Sequence, residues 1–260
     1  MTQAAFDLVT AHQREVAQRF LADRANERRH VVVYLSGAHA YGFPSPDSDL
    51  DLKAVHVDPT RDRVGLRRQR DVHDKLVIVE GVELDYTSNE LGPVLAGLLN
   101  GNANYFERLL GRTTVSEDPL LEELRPLAEK ALSRRVHGAY RGFAEAQRRA
   151  LLEKPTVKRL LYVLRTTLTG AHLLATGEVV PDLVALYDRW KFPCVPELVG
   201  RKLAGEREPL GRAEVDALSG EVERAFEVLD LERDRSVLPE EPPNAAELEA
   251  WLVDVRRRLF

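Results

Sequence analysis

Asp49 and Asp51 stand two residues apart, with Leu50 between them and Leu52 following. In a strand, residues two apart share a face, so this spacing sets two carboxylates side by side while the leucines face a core. Like charges that close repel, and a divalent cation is the usual relief. Just upstream, Ser36-Gly37-Ala38 and Gly42 form a stretch short of side-chain bulk, whose backbone N–H groups can approach a phosphate. A phosphate cradle joined to a carboxylate pair suits metal-assisted phosphoryl or nucleotidyl transfer. Taken singly, each part has a plainer reading. An Asp-x-Asp in a surface strand is commonly a solvated edge, Gly37 and Gly42 suit ordinary turns, and Pro44-Ser45-Pro46-Asp47 suits a rigid loop. The combination is what carries the chemistry.

Three further groups could join it. Val82-Glu83-Leu84-Asp85-Tyr86 offers two acids on one face of a strand, and alternation alone does not choose between Glu83 and Asp85. Lys158 and Arg165 are seven residues apart, about two helical turns, so they share a face with Tyr162. Arg61, Arg63, Arg67, Arg68, Arg70 and Lys75 concentrate positive charge just after the acidic strand. They read either as a solvated loop balanced by Asp62, Asp71 and Asp74 or as a flap facing phosphate or RNA. His39 and Tyr41 inside the loop suit packing or hydrogen bonding more readily than catalysis, and Ser45 and Ser48 suit bonding the loop to itself.

The elements that must position these residues are legible from periodicity. Phe6, Val9, Val16 and Phe20 predict an amphipathic helix over residues 4–23. Strands are expected at 30–35 and 49–57, and a tight hairpin at 75–86 turning on Gly81. Ser88-Asn89-Glu90 can cap a helix through Leu99, and another runs from Asn104 to Leu110, closed by Gly111. From about residue 117 the strand signal disappears, and helical periodicity runs through 119–135, 137–153, 155–176, 211–230 and 245–259. The expectation is a small mixed α/β catalytic unit followed by a helical C-terminal domain, with the boundary near residues 112–118.

Composition bounds the setting. The 260 residues hold one large domain or two modest ones, and 44% hydrophobic with 30% charged residues is that of an ordinary globular protein. No stretch reaches the length of a membrane span, the N-terminus lacks the apolar core of a signal peptide, and the single Cys194 excludes an intramolecular disulfide. A cytoplasmic location is the expectation. A net charge of −5 argues against a protein that coats nucleic acid non-specifically, and leaves room for a local basic groove.

The stretch Leu35-Ser36-Gly37-Ala38, ten residues from His39 to Ser48, then Asp49-Leu50-Asp51 resembles the signature of the DNA polymerase β-type nucleotidyltransferase superfamily. That signature is an apolar residue, Gly, then Gly or Ser, a spacer, and Asp-x-Asp between apolar residues. The fuller string Ser-Gly-x-His-x-Tyr-Gly-Phe-Pro-Ser-Pro-Asp-Ser-Asp is similar to a narrower group, the RNA-repair-associated (RlaP-like, YcgL-like) predicted nucleotidyltransferases. Ala38 departs from the pattern, where a Ser or Gly is usual, and so lacks a hydroxyl donor.

The resemblance implies an α+β fold, with a polymerase β-like catalytic domain over 1–115 and an all-helical domain over 116–260. It also implies Mg²⁺ or Mn²⁺ at Asp49, Asp51 and a third carboxylate, Asp85 with Glu83 as fallback. Ser36, Gly37 and Ala38 would cradle an NTP's phosphates, with Lys158 and Arg165 contacting the triphosphate. The reaction implied moves an NMP to an acceptor hydroxyl and releases pyrophosphate, with an RNA or tRNA 3′ end as the first acceptor. A small molecule, a protein side chain, or a non-catalytic nucleotide or RNA binder are the alternatives. The nucleotide and the oligomeric state stay open.

Overall fold

A computed structural model describes residues 5, 7–66, 69–205 and 208–260. Helix α1 (Ala11–Ala25) begins later than its periodicity suggests, because Thr10 and Gln13 close a reciprocal capping box ahead of it. Phe6, expected inside that helix, lies outside the described residues. Strand β1 (Arg29–Leu35) follows, then the short helix α2 (Gly37–Tyr41), strand β2 (Leu50–Val57) and helix α3 (Thr60–Val64). The hairpin β3 (Val72–Val79) and β4 (Val82–Glu90) turns through Glu80 and Gly81, both at positive φ, as a tight two-residue turn requires.

Helices α4 (Leu91–Leu99) and α5 (Ala103–Leu110) come next. Strand β5 (Thr114–Glu117), absent from the sequence reading, pairs with β1. It is only four residues long, too short to leave an alternation. The rest is helical: α6 (Pro119–Lys130), α7 (Val136–Glu153), α8 (Val157–Thr176), the single turn α9 (Leu183–Leu186), α10 (Val195–Ala204), α11 (Arg212–Asp234) and α12 (Ala245–Arg258).

The sheet is mixed, in the order β3-β4-β2-β1-β5. β2 runs parallel to β4, while β1–β2, β1–β5 and β3–β4 are antiparallel. One face packs under α1, where Phe20 and Leu21 meet Val33, Leu35, Leu52, Ala54, Leu84 and Tyr86. Leu50 and Leu52 are buried on this side, as the spacing of Asp49 and Asp51 requires.

The compact units are interleaved along the chain. One comprises residues 1–37, 49–131 and 242–260, and the other comprises 38–48 and 132–241. A single cut at 115/116 therefore misplaces three segments. Helix α6 packs on α5 and β1, and α12 packs on α4, so both belong with the sheet. Long-range polar pairs hold α12 there: Arg256 donates to the buried Glu90 at 2.6 Å, and Arg258 pairs with Glu123 at 2.7 Å. These partners lie more than 130 residues apart in sequence, beyond the reach of local patterning.

The helical unit is built around α8. Fifteen of its twenty residues are buried, as in a helix surrounded on all sides rather than one lying on a surface. Residues 38–48 belong to this unit because Ala38 and Phe43 enter its core with Leu164, Leu168, Leu183 and Phe192.

Candidate active site

Alternation along β2 and β4 turns Asp51 and Asp85 away from the buried Leu50, Leu52, Leu84 and Tyr86, and register then singles out that pair. In the parallel β2–β4 ladder, Asp51 stands directly opposite Asp85, and Leu50 opposite Leu84. Glu83 is exposed, and β2–β4 pairing begins only at Leu84. Glu83 and Asp85 share a face, but of these two only Asp85 has a carboxylate partner across the ladder. Asp49 lies just before β2, partly buried.

Gly37 explains why the loop approaches so closely. Its φ is +65°, and a Cβ built on it would overlap the Asp51 carboxylate. Any side chain here would be both strained and in collision with Asp51. The Ser36 N–H donates to the Asp51 carbonyl at 2.8 Å, fixing the end of β1 to β2. The expected reason for a glycine was proximity to phosphate. The structure adds proximity to the acid itself.

The electrostatics centre on Asp51. Burial first, then repulsion from Asp49, pushes its pKa up to about 6; Lys53 opposes this and Asp85 adds to it. Lys53 sits two residues on, on the same face. Its Nζ lies 2.9 Å from Asp85 Oδ2 and 3.4 Å from Asp51 Oδ1, and it also donates to the Asp85 carbonyl at 3.4 Å. Sequence reading gave Lys53 no role. The signal was the continuation of the period-two pattern, Asp49-x-Asp51-x-Lys53, which puts a cation in line with the acids.

The donor set suits a hard divalent ion at Asp49 and Asp51, whose oxygens are of the kind Mg²⁺ takes and whose mutual repulsion an ion would relieve. Among the described residues, no three acidic, histidine or cysteine side chains converge into a ready-made metal cage. The space between Asp51 and Asp85 is bridged by the Lys53 ammonium instead.

The loop at residues 38–48 is anchored within the helical unit. A Cβ on Gly42, φ +86°, would overlap the Asp182 carboxylate, which itself caps α9 by accepting from the Val184 N–H at 2.8 Å. Ser45 and Ser48 bond to one another, with Ser45 N–H donating to Ser48 Oγ at 2.9 Å. The wholly buried Lys202 of α10 donates to Ser45 Oγ at 2.7 Å. Lys202 was missed because a lysine beside an arginine in a helix reads as solvated surface. His39 is buried within α2.

Arg165 and Lys158 both lie on α8. The Arg165 guanidinium stacks 3.7 Å over the Tyr41 ring and donates to the Pro181 carbonyl at 3.4 Å; it is 6% exposed. Lys158 lies 5.7 Å over Tyr162, which meets Tyr41 edge-on at 5.6 Å. The shared face expected from their spacing is therefore an aromatic–cation cluster that grips the loop.

The expected basic flap divides. Arg63 is consumed by structure, pairing with Asp71 at 2.5 Å, Asp58 at 3.4 Å and Glu90 at 3.7 Å. Arg61 pairs with its neighbour Asp62 at 3.8 Å. Arg67 and Arg68 lie outside the described residues.

Comparison with known proteins agrees with the signature. An uncharacterized protein of Methanocaldococcus jannaschii is 28% identical over 155 residues, 58% of this chain and 63% of that protein. The chain thus spans less than two thirds of that relative's length. The uncharacterized protein YcgL of Bacillus subtilis is 30% identical over 214 residues, 77% of this chain and 73% of its own. A crystal structure of a nucleotidyltransferase-like protein from Exiguobacterium sibiricum 255-15 aligns over 94% of this chain and 80% of its own, at 12% identity and a TM-score of 0.35. The model of the RlaP group, described as the RNA repair pathway DNA polymerase beta family, matches residues 13–254. With that match spanning the sheet, the loop and the helices, the chain belongs to the RNA repair pathway DNA polymerase beta family.

Proposed function

We propose that this chain is a metal-dependent nucleotidyltransferase that moves an NMP from an NTP to a hydroxyl at an RNA or tRNA end. The observation that carries the reading is the facing of Asp51 and Asp85 across the β2–β4 ladder, beside Asp49 and against Gly37. A non-catalytic binder has little use for such repulsion.

In this reading Asp49 and Asp51 would hold Mg²⁺ or Mn²⁺, which would supply charge stabilisation to the phosphoryl oxygens. Lys53 contributes a fixed positive charge between Asp51 and Asp85 and holds the Asp85 carboxylate in place. Asp85, the more solvent-accessible of that pair, accepts the proton of the acceptor hydroxyl. The acceptor oxygen bonds to the α-phosphorus, the α–β phosphoanhydride bond breaks, and pyrophosphate leaves. To the triphosphate we assign the backbone of Ser36, Gly37 and Ala38. Arg165 positions Tyr41. Ala38 contributes no hydroxyl, so the cradle there relies on N–H donors. The RNA acceptor rests on the family's description.

The test is incubation with each α-labelled NTP, Mg²⁺ or Mn²⁺ and total RNA, in parallel with Asp49→Ala/Asp51→Ala. Label entering RNA only with the native protein is expected. Label on protein or on a small molecule would change the acceptor. No incorporation while NTP still binds would overturn the enzyme reading.

A further inference from the structure

The sheet face opposite Asp51 and Asp85 gathers positive charge. Along β4, Asp85 and Tyr86 point to opposite sides, and Lys75 of β3 is the register partner of Tyr86. A cavity of about 310 Å³ opens here, lined by Arg24, Arg28, Arg70, His73, Lys75 and Tyr86. Two of its cations are braced. Arg28 pairs with Glu27 at 2.9 Å and reaches the Tyr86 hydroxyl at 3.4 Å, while that hydroxyl bonds His30 Nε2 at 2.7 Å. Arg24 lies 5.4 Å over the Phe20 ring and pairs with the same Glu27 at 2.7 Å. Among the described residues, Arg70 and Lys75 form no ion pair.

Counting charges decides what the cavity can hold. Four permanent cations line it, against Asp74 in the lining and Glu27 beside it, so two positive charges are left over. His30, His56 and His73 are each held below their ordinary pKa, by burial first, with Arg28 adding to the effect in all three. They are neutral at pH 7 and leave the excess to the Arg and Lys side chains. A second open depression of about 790 Å³ adjoins the first, sharing Arg28 and His73 in its lining. That second depression sets Glu27, Asp58 and Asp62 against Arg28 and Arg29, so the excess positive charge is confined to the first.

We propose that this basic groove binds phosphates of an RNA strand, on the face of the sheet away from the carboxylates. The proposal rests on the RNA-acceptor reading above and names the residues that hold that acceptor's backbone. The ligand chemistry is the phosphate group. Four cations along a cavity of about 310 Å³ suit successive phosphodiesters of a strand better than a single phosphate.

The test is fluorescence anisotropy with a labelled single-stranded RNA at several salt concentrations, without NTP or metal, so that binding is read apart from transfer. Arg28→Gln/Arg70→Gln/Lys75→Gln is expected to weaken binding at least tenfold. It should also flatten the log–log salt dependence by about 2, since each lost single-strand phosphate contact removes ~0.7. Arg70→Glu/Lys75→Glu, both on exposed side chains, gives the same loss with the braced Arg28 intact, and Arg149→Gln/Arg212→Gln on the helical unit changes nothing. Asp51→Asn should bind RNA as the native protein does, even if it transfers nothing. Unchanged RNA affinity in both groove variants overturns the proposal. So does a groove that responds only to pyrophosphate or ATP as competitor, which would make it a small-anion site.

Discussion

The two faces of one sheet carry opposite electrostatic problems. On one, Asp49, Asp51 and Asp85 crowd negative charge, and only Lys53 relieves it from within. On the other, Arg24, Arg28, Arg70 and Lys75 crowd positive charge, and Glu27 and Asp74 relieve only part. Strand alternation makes this division possible, because neighbours along β3 and β4 point to opposite sides. Elsewhere in the same unit, charges are settled internally: Glu90, wholly buried, is met by Arg256 and Arg63. The contrast teaches where ligands belong. A charge the fold has answered is structural, and a charge it leaves unanswered on an open face awaits a partner of opposite sign.

The acid face should respond most strongly to substitution. Asp85→Asn should lower nucleotidyl transfer by about 100- to 10,000-fold, the range for removing a group that handles the reacting proton, with NTP affinity changed little. Glu83→Gln should leave turnover near native. Steady-state kinetics on both variants decides it, and the reverse pattern would reassign the third acid to Glu83.

Lys53→Met probes the internal relief. Removing the ammonium exposes Asp51 and Asp85 to each other, so Mn²⁺ binding, read by electron paramagnetic resonance, should tighten several-fold. Transfer should fall, because Asp85 loses the contact that positions it. Unaltered Mn²⁺ affinity would mean that Lys53 and the ion do not share this space.

The smallest effect is the pH dependence of stability in metal-free protein. Folding raises the Asp51 pKa from 3.8 to about 6, so the folded state binds the proton more tightly than the unfolded one. Stability contributed by protonated Asp51 is full below about pH 4 and is lost as pH rises through about 6. Chemical denaturation between pH 5 and 8 should show this loss, of order 1–3 kcal/mol, and Asp51→Asn should remove it. Mg²⁺ at pH 8 should restore stability to the native protein and not to the variant.

Much of the site was legible because its spacing is local. The period of two put Asp49 and Asp51 on one face and left Glu83 and Asp85 equivalent; cross-strand register separated the latter pair. The hairpin at Gly81, helices α6, α7, α8, α11 and α12 and the family itself followed from short patterns, whereas α9 and α10 were not marked by the periodicity. Other features had no local trace. Strand β5 is too short to alternate, Lys202 meets Ser45 across 157 residues, and Arg63 and Arg70 read alike until one finds three acids and the other, among the described residues, none.

By itself, then, the sequence determined the family, through the Gly37 loop and the Asp-x-Asp pair, and most of the elements that carry them. Periodicity and φ preference act within a few residues, and both are written in the chain. Only the tertiary structure decided that Asp85 faces Asp51, that Lys53 bridges them, that residues 38–48 pack with the helical core and α12 with the sheet, and that Arg24 and Arg28 join Arg70 and Lys75 in one groove. Those are outcomes of burial and register between segments far apart in sequence, where whether a charge is answered depends on neighbours the local pattern does not name.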